Sequence, residues 1–161
     1  MIKVKKSLIV GIGFGFTSAI ITTLGLMIGL YSSTNSKLAV IGGILTIAIA
    51  DAFSDALGIH VSQEAQKGKS TKQIWESTIA TFLAKFFLAL TFIVALLIFS
   101  LSTAIIVNII YGLLLLSLMS WMIAVRNKTK VKAVVGEHLF ISLLVIIITN
   151  IVGKLIAAFF R

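Results

Sequence analysis

Residues 7–31 read SLIVGIGFGFTSAIITTLGLMIGLY, twenty-five positions without a charge. A helix of this length, at about 1.5 Å per residue, exceeds the roughly 30 Å hydrocarbon layer of a bilayer. Lys3, Lys5 and Lys6 precede the run, as in a signal peptide. The apolar stretch continues to Leu30, well past the about 7 to 15 residues of a signal-peptide core, so a retained first span is expected.

Four more blocks of the same kind follow, at about Lys37 to Ser62, Trp75 to Phe99, Thr103 to Val125 and Val134 to Phe160. Of the 161 residues, 59% are hydrophobic, and mean hydropathy is +1.15. A soluble domain has no use for so much apolar surface. The fold class expected is all-α: one five-helix transmembrane domain over residues 1–161, a multi-pass protein of the cell membrane with the lipid bilayer as its main partner. The polar runs Ser32-Ser33-Thr34-Asn35-Ser36 and Ser100-Leu101-Ser102 are suited to tight turns between spans.

The net charge of +9 would suggest a nucleic-acid partner in a soluble protein. Its distribution points elsewhere. Lys3, Lys5 and Lys6, then Lys67, Lys69 and Lys72, then Arg126, Lys128, Lys130 and Lys132 all fall on one side of the expected topology. The other side has Lys37 and Arg161, with Lys154 close enough to snorkel to its surface. The positive-inside rule places the N-terminus in the cytoplasm and the C-terminus outside, and no nucleic-acid partner is needed.

Several motif fragments lack their required context. Gly11, Gly13 and Gly15 lie inside an apolar span with no preceding strand, unlike a dinucleotide-binding loop. Gly68-Lys69-Ser70 ends like a phosphate-binding loop, but the leading glycine would be at position 63, which is Gln63. Glu137-His138 has no second histidine at zinc-helix spacing. The chain has two histidines and no cysteine, and no catalytic triad assembles from them. No enzymatic activity and no resident cofactor are expected.

Two features carry more weight. In the first span Gly11, Gly15, Ser18, Thr22, Gly25 and Gly29 form one face of small residues, suited to packing within the chain or to a homodimer seam. In the second, Ala50, Ser54 and Gly58 form a shorter stripe beside Asp51 and Asp55, two carboxylates one turn apart. An ionised acid at membrane depth costs about 2.5 to 3.5 kcal/mol on insertion scales, so each must be protonated, paired or open to water. Asp55 lies about 10 Å in from the cytoplasmic end of its span, and Lys85 of the third span is at similar depth, so an ion pair between them is expected. Asp51 is deeper, has no partner evident in the sequence, and is the better candidate for contact with a transported ion. Asn108, Thr149 and Asn150 are expected to hydrogen-bond between helices. Glu137, at the cytoplasmic start of the fifth span, is a candidate entrance residue.

Gly11-Ile-Gly-Phe-Gly-Phe-Thr-Ser18 together with Ile49-Ala-Asp-Ala-Phe-Ser-Asp-Ala-Leu-Gly-Ile-His-Val-Ser-Gln63 resembles the vacuolar iron transporter family, which includes the yeast calcium-cross-complementer type. The likeness extends over all five spans. It implies a homodimer that exports Fe²⁺ or Mn²⁺ from the cytosol, in exchange for protons, along a path lined by the first two helices. On that reading Asp51 and Asp55 bind the metal, Gly15, Ser18 and Thr22 line the subunit interface, and the divalent cation is cargo. The chain departs from the family at Phe14 and Ile59, where carboxylates are usual, and at Asp55, where methionine is common. It also lacks the family's cytoplasmic metal-binding insert between spans two and three. A non-transporting membrane scaffold, with Asp55 paired to Lys85, and a transporter of another substrate are the alternatives.

Overall fold

The structure, a computed structural model, describes residues 6–160. Lys3, Lys5 and Arg161, used above to orient the chain, lie outside these residues. Five helices follow one another: α1 (Lys6–Thr34), α2 (Lys37–Glu64), α3 (Thr71–Ile98), α4 (Leu101–Asn127) and α5 (Val131–Phe160). Each is long and apolar enough to cross a membrane, and among the described residues there is no strand. The chain is a multi-pass membrane protein.

At most ends the helices run a few residues beyond the apolar blocks, and at α2 and α3 a polar cap sets the start. The clearest case is α3. Ser70 Oγ accepts from the Gln73 N–H while the Gln73 side chain accepts from the Ser70 N–H, a reciprocal capping box that starts the helix at Thr71, ahead of Trp75. Residues 63–74, between the second and third apolar blocks, are thereby divided between α2, α3 and the connection 65–70. Ser36 caps α2 by accepting from the Ala39 N–H. Lys128 closes α4 in the left-handed region at φ 55°, releasing the chain into α5.

The central helix is α1, which touches all four others. The closest packing is against α3, with α2 and α5 flanking α1. Glycine makes this possible. A Cβ on Gly11 would collide with the Ser77 carbonyl oxygen, and one on Gly15 would lie 2.7 Å from that of Thr81. Further along, Gly25 meets Val145, and Gly153 approaches the Gly29 carbonyl, so α1 and α5 run side by side in the same direction. At its glycines, the small-residue face of α1 is thus covered by α3 and α5 of its own chain.

Between these contacts Ile20, Leu24, Met27, Phe92, Leu96 and Leu116 form a fully buried core. Two of the three polar residues expected to join helices do so. Asn108 Nδ2 donates to the Phe92 carbonyl at 2.9 Å, and Ser32 Oγ donates to Asn150 Oδ1 at 2.7 Å. Thr149 instead donates to the Val145 carbonyl one turn back on its own helix. The outer faces of all five helices carry large apolar side chains, among them Ile12, Leu57, Phe87, Leu114 and Phe140, as a lipid-facing surface requires.

Candidate functional site

The polar centre of the bundle is built on Lys85. Its side chain, 1% exposed, enters from α3 at mid-helix and meets three oxygen atoms. Nζ donates to Asp51 Oδ2 at 2.6 Å, to Asp55 Oδ2, and to Ser18 Oγ at 2.8 Å. An ammonium has three donors, and all are used. Ser18 Oγ in turn donates its proton to Asp55 Oδ2 at 2.5 Å, so it bridges the cation and one anion. Three helices supply the cluster: α1 gives Ser18, α2 both aspartates, and α3 the lysine.

Local sequence explains the convergence. Asp51 and Asp55 are one helical turn apart and therefore share the face that looks towards α3. Gly11 and Gly15 bring the α1 and α3 backbones together just before Ser18, which puts that hydroxyl within reach of Lys85. The expected Asp55–Lys85 ion pair is present. Asp51, whose partner is not evident in the sequence, shares the same lysine: the ammonium reaches both acids. Sequence spacing alone does not show this, because it fixes depth along each helix and leaves the side-chain reach across the interface open.

The two carboxylates differ in surroundings. Asp55 is 19% exposed and shielded by Ser18, whereas Asp51 is 29% exposed. Asp51 also lines a groove of about 680 Å³ over α1, together with Thr22, Gly25, Val145 and Thr149. Thr22 Oγ1 donates to the Ser18 carbonyl, which leaves the hydroxyl oxygen with acceptor capacity only. With both acids ionised, the cluster has a formal charge of −1 at the depth of a membrane. Among the described residues no three His, Asp or Glu side chains converge, so oxygen donors of Asp51, Asp55, Ser18 and backbone or water are what a cation would find.

The remaining candidates fall elsewhere. Gly15 is buried against Thr81 and Ala84 of α3, not on an open interface. Ser54 is exposed on α2 and supplies no atom to the Lys85 cluster. Glu137 is exposed on α5, a helix that supplies no atom to the Lys85 cluster. The small-residue stripe on α2 extends beyond Ala50, Ser54 and Gly58. Gly42, Thr46, Ala50, Ser54 and Gly58 recur every fourth residue, and all five are exposed, with nothing of the chain within 4 Å of where a Cβ on Gly42 or Gly58 would sit.

No protein-family model, curated protein or solved structure matches this chain. The functional reading therefore depends on the cluster's chemistry and on the sequence resemblance.

Proposed function

We propose that the chain is a cation transporter whose binding centre is Asp51 and Asp55, with Lys85 as the built-in counter-cation that holds the centre together. One observation carries this reading: two carboxylates share a single ammonium, and the one that opens on a groove is not needed to neutralise it. A purely structural pin needs one acid for one lysine. A second ionised carboxylate at membrane depth is a standing cost unless it does something else.

The cargo class is a divalent cation, Fe²⁺ or Mn²⁺, which carboxylate and hydroxyl oxygens suit and which the resemblance implies. Export from the cytoplasm in exchange for protons follows from the same resemblance. The lysines and arginine in and beside the α2–α3 and α4–α5 connections support a cytoplasmic side for those ends and for the N-terminus. A homodimer fits this picture, with its seam moved from α1 to α2. The α1 face is covered internally at its glycines, while the exposed stripe from Gly42 to Gly58 has the small side chains that let two helices approach closely. Ala50 belongs both to that stripe and to the Asp51 groove, so a partner seated there would border the opening.

The second reading is a non-transporting membrane scaffold. The saturation of all three Lys85 donors favours it. Purified protein in liposomes separates the two readings: Mn²⁺ or Fe²⁺ supplied across a pH gradient should give a dye-reported flux that Asp51→Asn removes. A signal no greater than that of empty liposomes leaves the scaffold.

A further inference from the structure

We infer that His60 and Glu64, at the end of α2, form a second cation site that takes a first-row divalent metal ion through the imidazole Nε2 and a carboxylate oxygen. The proton inventory around His60 is the starting point. Its Nδ1 lies 2.9 Å from Thr78 Oγ1. Thr78 has one hydroxyl proton, which is donated to the Ile74 carbonyl at 2.8 Å. Thr78 can then only accept from His60, which assigns a proton to Nδ1 and makes Nε2 the atom that carries the lone pair whenever the ring is neutral.

That lone pair faces another acceptor. Glu64 Oε1 is 3.6 Å from Nε2, one turn along the same helix. The separation is too long for a charge-assisted hydrogen bond, which spans about 2.7 to 2.9 Å. It is close to the spacing of two ligands on one metal: bonds of about 2.0 to 2.2 Å meeting at a near-tetrahedral angle put their donor atoms about 3.4 Å apart. The ring is also held as metal-bound histidines are, with its other N–H committed to a fixed acceptor. Trp75 packs edge-on against it, ring centres 4.8 Å apart, and Phe53 and Phe82 complete an apolar wall on that side. Glu64 is largely exposed, which leaves room for water in the remaining coordination positions.

His138 provides a control within the same chain. Its Nδ1 lies 2.7 Å from Ser120 Oγ, whose proton goes to the Leu116 carbonyl, so it has the same tautomer. No carboxylate faces its ring among the described residues. Imidazole nitrogen plus carboxylate oxygen suits Mn²⁺, Fe²⁺, Co²⁺ or Zn²⁺ better than Mg²⁺ or Ca²⁺. Five residues, or about 7.5 Å of helix, separate His60 from Asp55. Naming the pair a loading station for that centre rests on the transport reading; metal binding at the pair does not.

The test is nitrogen NMR of the ¹⁵N-histidine-labelled full chain in lipid nanodiscs at neutral pH, with Mn²⁺ as paramagnetic probe. The chain has two histidines, so each ring is resolved. Both should show the Nδ1–H tautomer, and added Mn²⁺ should broaden His60 Nε2 well before His138. Glu64→Gln, at an exposed helix end, should raise the Mn²⁺ needed by about ten-fold, and Thr78→Val should do the same while scrambling the His60 tautomer, with His138 unchanged as the sign of an intact fold. An Nε2–H or doubly protonated His60 before metal is added overturns the inference, as does broadening of both rings together or indifference to Glu64→Gln. A chain that binds Mn²⁺ here but moves none across liposomes keeps this site and loses the transport reading; flux with a silent His60 does the reverse.

Discussion

Lys85 Nζ of α3 lies 2.6 Å from Asp51 Oδ2 of α2, and the same nitrogen holds Asp55 one turn away. The lysine therefore sets the distance between α2 and α3 as well as the charge between them. Removing it leaves two acids facing each other with no cation. Lys85→Met should destabilise the detergent-solubilised protein by about 3 to 5 kcal/mol, the cost seen when one member of a buried ion pair is deleted. Adding Asp51→Asn and Asp55→Asn to that variant should recover much of the loss, because neutral amides have no charge to strand. Thermal unfolding followed by circular dichroism measures both, and a Lys85→Met protein as stable as the parent would mean that the acids do not depend on the lysine.

Ser18 tests the cluster from the α1 side. Its hydroxyl accepts from Lys85 and donates to Asp55, so Ser18→Ala removes one partner from each of two ionised groups. An unsatisfied buried polar group costs about 1 to 3 kcal/mol. Ser18→Ala should fall in that range, and Ser18→Thr, which keeps the hydroxyl, should cost less. Equal losses for the two variants would assign the effect to packing.

Helix number and order were legible because twenty-residue apolar blocks have no soluble alternative, and the depth of Asp55 and Lys85 was legible because helical rise is constant. What the pattern does not encode is azimuth. The α1 glycines read as a single stripe, yet Gly11 and Gly15 are filled by α3 while Gly25 and Gly29 face α5, because one face of a central helix is broad enough to take two neighbours. For the same reason Ser54 lies next to Asp51 and Asp55 in sequence yet supplies no atom to the Lys85 cluster, and the Thr78 and Ser120 hydroxyls that fix the histidines carry no sequence signal at all. A hydroxyl between a helical carbonyl and a ring nitrogen is visible only once the helices are assembled.

The glycines of α1 and α2 should respond oppositely to a methyl group. At Gly15 a Cβ would meet backbone, the Thr81 carbonyl oxygen at 2.7 Å, and the two helices must separate to admit it. At Gly58 a Cβ meets nothing within 4 Å, and φ is ordinary helix. Gly15→Ala should lower the unfolding midpoint in a mild detergent. Gly58→Ala should leave it unchanged or raise it, since alanine in a helix is favoured over glycine by about 0.5 to 1 kcal/mol. A loss at Gly58 equal to that at Gly15 would show that the α2 face is covered even in the solubilised chain.

The α2 stripe can be probed directly because the chain contains no cysteine, so any introduced thiol is alone. Ser54→Cys and Gly58→Cys sit on the exposed face of α2, whereas Gly25→Cys sits on α1 opposite Val145. Across a symmetric helix pair each thiol meets its own copy, provided the seam runs through its position. With oxidant added to native membranes, the two α2 variants should give a disulfide-linked dimer on a non-reducing gel and the Gly25→Cys variant should stay monomeric. Cross-linking requires Cα atoms within about 7 Å, a distance that helices reach only where small residues allow close approach. Leu57→Cys, exposed but one position off the stripe, separates a defined seam from random collision: if it cross-links as fast as Gly58→Cys, the α2 stripe is not where two copies meet.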